Sequence, residues 1–261
     1  MTDVTLLKLG GSLLTDKTRP RAARGEVIRR LAGEIVAAGA GGVVLGHGSG
    51  SFGHVAAARA GVGSGPVARE SLDGVAETRA EAAELHRIVV AALREAGARA
   101  FSFVPGSFLV AKAGQVEGAL PPGLPVALRS GFLPVVYGDV VLDSEWGAAI
   151  ASTEAVLAFL ARELPAAGFT ISRAIWLGDT PGVLDSTGRS LPEIHPDDWK
   201  TAVASIVGPP GIDVTGGMRL RVATAAALAQ TGIPSLLADG TVPGLLELAL
   251  RGEAVPGTLI G

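Results

Sequence analysis

The chain has 261 residues, of which 48% are hydrophobic, 22 are lysine or arginine and 25 are aspartate or glutamate. Its length and apolar content suffice for one substantial α/β core, whereas a net charge of −3 gives no positive field for nucleic acid. The chain has no cysteine, which excludes disulfides and thiolate metal sites, and no apolar run approaches the roughly 20 residues of a membrane span. Because its start also lacks signal-peptide features, we expect a soluble, cytoplasmic protein without nucleic-acid or membrane partners.

Short β-branched runs alternate with longer alanine-rich segments in which apolar residues recur every three or four positions. This alternation is typical of strands joined by crossover helices, and it predicts an α/β fold with a mainly parallel sheet. In chain order, the predicted strands are residues 5–9, 42–46, 99–104, 134–137, 174–178, 233–238 and 258–260. The predicted helices are residues 25–38, 71–96, 152–164, 218–230 and 242–251. Turn residues predict hairpins at 113–120, 140–147 and 184–191.

Three glycine-rich segments lie where a loop is predicted to meet a helix or a strand. They are residues 8–12 (KLGGS), 46–54 (GHGSGSFGH) and 213–218 (DVTGGM). Glycine lets the backbone approach an anion closely, and N–H groups at the start of a following helix complement negative charge. Since each segment also has a cation or a histidine nearby, the three together predict an enzyme that handles phosphate groups.

Residues 48–53 also satisfy the G-x-G-x-x-G pattern of dinucleotide-binding proteins. Such a unit needs a second strand that ends in an acidic residue about 20 positions later. Here residues 60–69 are instead rich in glycine and proline, and Glu70 opens a helix. A dehydrogenase would also leave the first glycine segment unexplained, so we disfavour a nicotinamide-dependent enzyme.

The glycine segments, Lys17, residues 137–143 (YGDVVLD) and the ending 257–261 (GTLIG) resemble the amino acid kinase superfamily, and within it the isopentenyl phosphate kinases. The most discriminating part is 50–54 (GSFGH), because related kinases of carboxylates or nucleotides are not expected to have a histidine there. The resemblance implies ATP-dependent conversion of isopentenyl phosphate to isopentenyl diphosphate, with Mg²⁺. It further implies a three-layer αβα sandwich that forms a homodimer. Each chain is then one domain over residues 1–261, with an acceptor-binding lobe at about 1–165 and a nucleotide-binding lobe at about 166–261.

Phosphoryl transfer to a phosphate oxygen gathers negative charge, so we expect catalysis to depend on positioning and on cations, without an obligatory protein base. Lys8, at the end of the first predicted strand, is placed to contact the transferring group. The resemblance implies that Lys17 reaches the ATP phosphates, although a solvated loop lysine is the alternative. Asp139, at the carboxyl end of a strand, is expected to orient Lys8 or the water shell of Mg²⁺, or else to be a hairpin aspartate.

His54 follows Gly53 in the first turn of a predicted helix, where an acceptor phosphate could accept hydrogen bonds from the amides and the imidazole. We expect it to position the phosphate more than to transfer a proton; the alternative is a helix cap or a surface residue. His47 is a weaker candidate, because it could simply pack below the loop. His86 and His195 are expected to be structural or exposed.

The hydrocarbon tail of the acceptor is expected to contact an apolar wall formed partly by the long helix at 71–96. Small side chains at Thr78 and Ala82 lead us to expect a roomy pocket that accepts dimethylallyl or longer prenyl phosphates. The complete acceptor set is Ser49, Gly50, Gly53, His54, Val75, Thr78, Ala82, Ile150, Thr153 and Glu154. The nucleotide set is Lys8, Gly10, Gly11, Ser12, Gly50, Asp179, Gly216, Gly217 and Arg221, and no direct metal ligand is predicted.

The chain departs from the family pattern in three places. Ser152-Thr153-Glu154 replaces Ser-Gly-Asp, Arg221 replaces a lysine, and the nucleotide loop at 179–183 (DTPGV) is one residue shorter and lacks its second aspartate. Two alternatives therefore stay open. One is a kinase of the same fold that acts on another small phosphate or a phosphonate such as fosfomycin. The other is a nucleotide-binding regulatory protein with little catalysis.

Overall fold

The computed structural model describes residues 2–39, 41–63, 65–204 and 217–261, and the side chains of His54, Val55 and Arg59 also lie outside its description. The strands are β1 (Thr2–Leu9), β2 (Val43–His47), β3 (Ala100–Ser102), β4 (Leu109–Lys112), β5 (Gln115–Gly118), β6 (Leu133–Tyr137), β7 (Asp139–Asp143), β8 (Gly147–Ala151), β9 (Phe169–Gly178), β10 (Glu193–Ile194), β11 (Ser235–Asp239) and β12 (Thr258–Ile260). The helices are α1 (Gly11–Leu14), α2 (Gly25–Ala37), α3 (His54–Ala60), α4 (Leu72–Glu95), α5 (Gly123–Arg129), α6 (Thr153–Glu163), α7 (Trp199–Ala204), α8 (Gly217–Gln230) and α9 (Leu245–Arg251).

Within the described residues, eight strands form the main sheet in the order β10-β12-β11-β9-β1-β2-β6-β3. The central strand β1 pairs in parallel with β2 on one side and with β9 on the other. The pairing of β11 with β12 is antiparallel. The predicted mainly parallel sheet is thus confirmed, and its central strands bring their carboxyl ends to one edge.

Helices cover both faces of this sheet because side chains alternate along each strand. Val4 and Leu6 of β1 belong to the apolar core beneath α6 and α8, whereas Leu7 and Leu9 belong to the core beneath α2, α4 and α9. Each of these leucines is at most 2% exposed, so its burial stabilises the fold by roughly 1.5–3 kcal/mol. The predicted three-layer αβα sandwich is confirmed.

A second sheet is formed by β4 and β5, which precede β6, and by β7 and β8, which follow it, in the order β5-β4-β7-β8. Two of its strand pairs are the predicted hairpins, β4–β5 and β7–β8. The turn between β4 and β5 consists of Ala113 and Gly114, whose φ angles are 46° and 79°. Positive φ at both residues is typical of the two-residue hairpin turn whose twist matches that of the flanking strands. The third predicted hairpin has a single antiparallel bridge, between Leu184 and Ser190.

The structure differs from the predicted elements at several segments: the short helices α1 and α7 were not predicted, and β1 begins three residues before its predicted start. Two further differences have a clear physical reason. Strand β9 begins five residues before the predicted start, because Phe169 and Ile171 are buried in alternation with polar neighbours and pair alongside β1. Helix α5 was not predicted, since Pro121, Pro122 and Pro125 favour a turn; Pro125 lies in the first helical turn, where its missing N–H is tolerated. No helix of the described residues combines the length and the apolar character needed to cross a membrane.

Candidate active site

The loops that follow β1 and β2 pack backbone against backbone at the carboxyl edge of the sheet. A Cβ added at Gly11 would lie 2.4 Å from the nitrogen of Gly50, and one added at Gly48 would lie 2.8 Å from the nitrogen of Gly11. Thr15 joins the loops, since its Oγ1 donates to the Gly11 carbonyl and accepts from the Ser51 amide at 2.8 Å. The first two glycine segments therefore form one continuous backbone surface that side chains would disrupt.

Three buried charged side chains lie beside this surface. The Nζ of Lys8 donates to Oε1 of Glu154 at 2.6 Å, and both side chains are less than one-tenth exposed. Arg221 of α8 packs its guanidinium on the bare backbone of Gly10 and Gly178, where added Cβ atoms would lie 3.5 and 2.6 Å from its nitrogens. Among the described residues, the buried Nε of Arg221 has no hydrogen-bond partner. Lys8 and Arg221 thus both interact with Glu154, and Arg221 also interacts with Asp179.

The pKa values of these three groups reflect their burial and their mutual charges. Burial, assisted by the charge of Arg221, lowers the pKa of Lys8 to about 8, although Glu154 opposes the shift. Burial also lowers the pKa of Arg221, against the attraction of Glu154 and Asp179. Burial alone would raise the pKa of Glu154, but Lys8 and Arg221 outweigh it and hold that pKa below its usual value. The three buried groups Lys8, Arg221 and Glu154 together carry a net positive charge at neutral pH, which an anion would neutralise. The rest of the cleft adds Lys17, Asp139 and Asp179.

The start of α6 aims Glu154 at Lys8. Ser152 caps the helix, because its Oγ accepts from the Ala155 amide at 3.1 Å. Thr153 Oγ1 donates to the His47 carbonyl at 2.7 Å and so ties α6 to the end of β2. Glutamate in place of the family's aspartate therefore still reaches Lys8, and threonine in place of glycine adds a tie to the second glycine loop.

These groups line one cleft of about 230 Å³. The predicted site residues that the cleft brings together are Lys8, Gly11, Ser12, Lys17, Ser49, Gly50, Gly53, Thr78, Ala82, Asp139, Ile150, Thr153, Glu154, Asp179, Gly217 and Arg221. Sequence reasoning missed Gly48, Ala57, Gly138, Val140, Ser152, Thr180 and Met218. Most of these residues are adjacent in sequence to predicted site residues, and Ala57 lies one helical turn after Gly53. Their positions next to predicted residues are the signal by which they could have been found.

Several predicted residues lie elsewhere or outside the description. Gly10 lies under the guanidinium of Arg221 rather than on the cleft surface. Val75 packs against the apolar cluster that contains Ala57 and Ala60, behind the cleft. The side chain of His54 and the whole of Gly216 lie outside the described residues.

Asp139 lies at the cleft, but its partners differ from those expected. Its carboxylate accepts from the amides of Gly106 at 2.8 Å and Val140 at 2.9 Å, and Arg79 lies 3.6 Å away. Burial raises the pKa of Asp139, and the Gly106 amide and Arg79 oppose that rise. Among the described residues, the ion-pair partner of Lys8 is Glu154 rather than Asp139.

Two further contacts bear on ligand binding. Ser12 Oγ donates to Oδ1 of Asp179 at 2.9 Å and so links the first glycine loop to the end of β9. The amide of Gly53, where an acceptor phosphate was expected, donates to Oε2 of Glu81 at 2.7 Å. A phosphate at this amide would therefore have to displace the Glu81 carboxylate.

No group of three or more histidine, aspartate or glutamate side chains within the described residues could hold a metal ion. Divalent ions in phosphoryl-transfer sites are held largely by substrate phosphates, together with one or two carboxylates. Asp179 is a carboxylate of that kind at the cleft. The residues present thus fit an ion that arrives with a phosphate ligand.

Glycine loops and buried cations at the carboxyl ends of central parallel strands define a phosphate-binding α/β protein. Residues 3–239 match the model of the amino acid kinase family. The chain is 35% identical to the isopentenyl phosphate kinase of Methanothermobacter thermautotrophicus and 35% identical to that of Haloferax volcanii, in each case over 98% of both chains. A solved structure of isopentenyl phosphate kinase superposes with a TM-score of 0.81 at 32% identity, over 98% of this chain and 100% of the other. The chain belongs to the amino acid kinase family, and the predicted resemblance is confirmed.

Proposed function

We propose that this protein transfers the γ-phosphoryl group of ATP to isopentenyl phosphate, forming isopentenyl diphosphate and ADP. The observation that carries the proposal is the buried excess of positive charge at Lys8 and Arg221, beside glycine loops that leave room for phosphate oxygens. The choice of acceptor is supported by the names of the two relatives that match nearly the whole chain.

In the proposed reaction, an acceptor phosphate oxygen attacks the γ-phosphorus of ATP while the bond to the bridging oxygen of ADP breaks. Lys8 would contact the transferring group, and Arg221 and Lys17 would balance the charge of the nucleotide phosphates. Mg²⁺ held by those phosphates would supply further positive charge, and Asp179 would be a carboxylate able to hold it. No protein base is required, since the acceptor phosphate is ionised at neutral pH. We also propose that the nucleotide binds mainly to residues of about 166–261 and the acceptor to residues of about 1–165.

The apolar part of the cleft is the proposed site of the acceptor tail. Ala57, Thr78 and Ala82 line it from α3 and α4, and Val140 and Ile150 line it from the second sheet. Because Thr78 and Ala82 are small, we propose that dimethylallyl and longer prenyl phosphates are also accepted. Measuring kcat/KM over a chain-length series tests this, and a steep loss beyond five carbons would refute it.

A coupled ADP-release assay with magnesium ATP and isopentenyl phosphate tests the reaction itself. His54→Ala is expected to lower kcat/KM by roughly 10²-fold if the imidazole holds the acceptor phosphate. His195→Ala is the matched control, because His195 is 65% exposed and does not line the cleft. A folded protein that binds ATP but turns over no isopentenyl phosphate would instead indicate another acceptor or a regulatory role.

We further propose a cytoplasmic homodimer that forms through the edge strand β3. Phe101 of β3 is 49% exposed, and two further apolar side chains are exposed outside that strand, Val126 of α5 at 59% and Phe132 before β6 at 39%. The rings of Phe101 and Phe132 lie 5.6 Å apart and form one apolar surface, which a second copy would cover. Sedimentation should show a dimer for the wild type and a monomer for Phe101→Glu; a monomeric wild type would refute the proposal.

A further inference from the structure

A chain of three hydrogen-bonding side chains leads from the edge of the main sheet to the second glycine loop. His47, at the end of β2, places Nε2 2.9 Å from Nδ1 of His86 in α4. His86 Nε2 in turn bonds Ser102 Oγ at the end of β3. At the other end, His47 Nδ1 lies 3.2 Å from the carbonyl oxygen of Gly48. The phosphoryl-transfer chemistry proposed above uses neither imidazole.

The Gly48 carbonyl fixes the direction of this chain, because a carbonyl oxygen only accepts hydrogen bonds. His47 Nδ1 must therefore carry the proton, which leaves its Nε2 as an acceptor. His86 then donates from Nδ1 to His47, and its own Nε2 accepts from the Ser102 hydroxyl. With both rings neutral, each imidazole is therefore the Nδ1–H tautomer, and each ring nitrogen has one defined role.

Burial supports the neutral state of both rings. His47 is fully buried and His86 is 6% exposed. Burial, with the nearby His86, lowers the pKa of His47 to about 3, and burial lowers the pKa of His86 to about 4. Tyr137 stacks on His86 with a centroid distance of 4.3 Å and holds the ring plane.

The hydrogen bond to Gly48 also determines where the next amide points. In a planar trans peptide the C=O and N–H groups point in opposite directions. With the Gly48 oxygen held by the buried imidazole, the N–H of Ser49 faces away from the core, on a segment that lines the cleft. Within the described part of the chain, that N–H has no protein acceptor.

We infer that His47 and His86 are positioning residues whose hydrogen-bond chain holds the Gly48–Ser49 peptide with its N–H toward the cleft, as a donor to a phosphate oxygen. The inference rests on the proposed binding of phosphate groups. The phosphate could belong to ATP or to the prenyl monophosphate, since both present the same oxygens.

The tautomers can be tested directly on the wild-type protein. Long-range ¹H–¹⁵N NMR correlations distinguish Nδ1–H from Nε2–H imidazoles. We expect the Nδ1–H form for both His47 and His86 at neutral pH, and an Nε2–H form or a charged imidazolium at either residue would overturn the inference. This result does not depend on turnover, so a failed ADP-release assay would leave it standing.

Two substitutions of His86 separate positioning from packing. His86→Asn keeps an amide donor where Nδ1 lies, whereas His86→Phe keeps the ring on Tyr137 but removes both nitrogens. Calorimetric titrations with ATP and, separately, with isopentenyl phosphate should show about tenfold weaker binding of one of them to His86→Phe. His86→Asn should stay within about threefold of the wild type, and the ligand affected identifies the phosphate.

A purely structural histidine predicts the reverse order. His86→Phe would then retain both affinities, because the aromatic ring fills the same apolar space, and His86→Asn would lose stability in urea unfolding. That order, or equal weakening by both variants, would overturn the inference.

Discussion

Two buried charge clusters lie on opposite faces of the main sheet, and they differ in how well they are satisfied. The first cluster lies on the face covered by α2 and α9. There Glu34 of α2 accepts hydrogen bonds from Arg30 at 2.5 Å and from the Leu246 amide of α9 at 3.1 Å. Arg30 also donates to the Gly240 carbonyl at 2.5 Å. This cluster has one cation, one carboxylate and protein partners for both carboxylate oxygens.

The cluster of Lys8, Glu154 and Arg221 has an additional cation, and within the described residues the Arg221 Nε lacks a partner. Folding tolerates an unbalanced buried charge only if something else compensates it. The Glu34 cluster ties helices together, and this difference is the reason we propose that a ligand completes the Lys8 cluster. Both clusters are buried, so burial does not distinguish them. They differ in whether each charged group has hydrogen-bond partners within the protein.

Lys8→Ala should give the largest effect and should separate the two clusters most clearly. Removal of the cation next to the transferring group should lower kcat/KM by roughly 10³-fold. Stability in urea should change by less than about 1 kcal/mol, because Arg221 still neutralises Glu154 and the cost of burying Lys8 disappears. A large loss of stability with kcat/KM retained would mean that Lys8 is structural, as Arg30 is.

Glu34→Ala should show the opposite pattern. It leaves Arg30 without its carboxylate and removes the acceptor of the Leu246 amide, which should cost about 2 kcal/mol in urea unfolding while kcat/KM stays within about twofold. Glu247→Ala, which breaks the exposed pair with Arg251 on α9, is the control and should cost less than about 0.5 kcal/mol. Equal costs for both variants would contradict the structural role of the Glu34 cluster.

The sequence predicted the positions of the reactive groups better than their partners. Lys8 could be located because it ends an apolar strand, and Arg221 because the family resemblance implies a cation three residues after the Gly-Gly-Met segment. Lys8 and Glu154 are 146 positions apart in the sequence, and no local sequence pattern predicts a contact between residues so far apart. Asp139 shows the same limit: its strand end was predictable, but the amide of Gly106 that occupies its carboxylate comes from a separate 3₁₀ turn.

The same reasoning explains which parts of the fold could be predicted. Strands with uninterrupted apolar runs and helices with clear periodicity were located within a few residues. Helix α5 was missed because the prolines at its start, Pro121, Pro122 and Pro125, are local turn signals. Packing of the helix against the core overrides them. The Glu34 cluster was also missed, because α2 and α9 meet only in the folded chain.

The pH dependence of the Lys8 cluster gives a third prediction, of intermediate size. Because phosphate binding needs the charged lysine, kcat/KM for ATP should fall above pH 8 and approach a tenfold loss per pH unit. Bound phosphate favours the charged form, so the fall in kcat should appear at higher pH. A kcat/KM that stays constant to pH 9.5 would exclude Lys8 as the titrating group.

Stability should move in the opposite direction over the same range. The pKa of Lys8 is about 8 in the folded protein, whereas a lysine in the unfolded chain has the ordinary value of 10.5. Between these two pH values the unfolded chain therefore binds more protons. The contribution of Lys8 to the free energy of unfolding therefore rises with pH in this window. Urea unfolding of wild type and Lys8→Ala at pH 7.5 and 9.5 would measure this contribution. Only the wild type should show a free energy of unfolding that rises because of Lys8.

The smallest expected effect lies at the rim of the Lys8 cluster. Ser12→Ala removes the hydroxyl that donates to Asp179 and should raise KM for ATP about threefold with kcat unchanged, because Asp179 loses one neutral hydrogen bond but keeps its place near Arg221. Thr18→Ala is the matched control, since Thr18 makes the same hydroxyl-to-carboxylate bond with Asp16 outside the cleft and should leave KM unchanged. If both variants raise KM alike, the effect comes from the loop as a whole. Asp179 would then not belong to the group of residues that we propose to bind ATP.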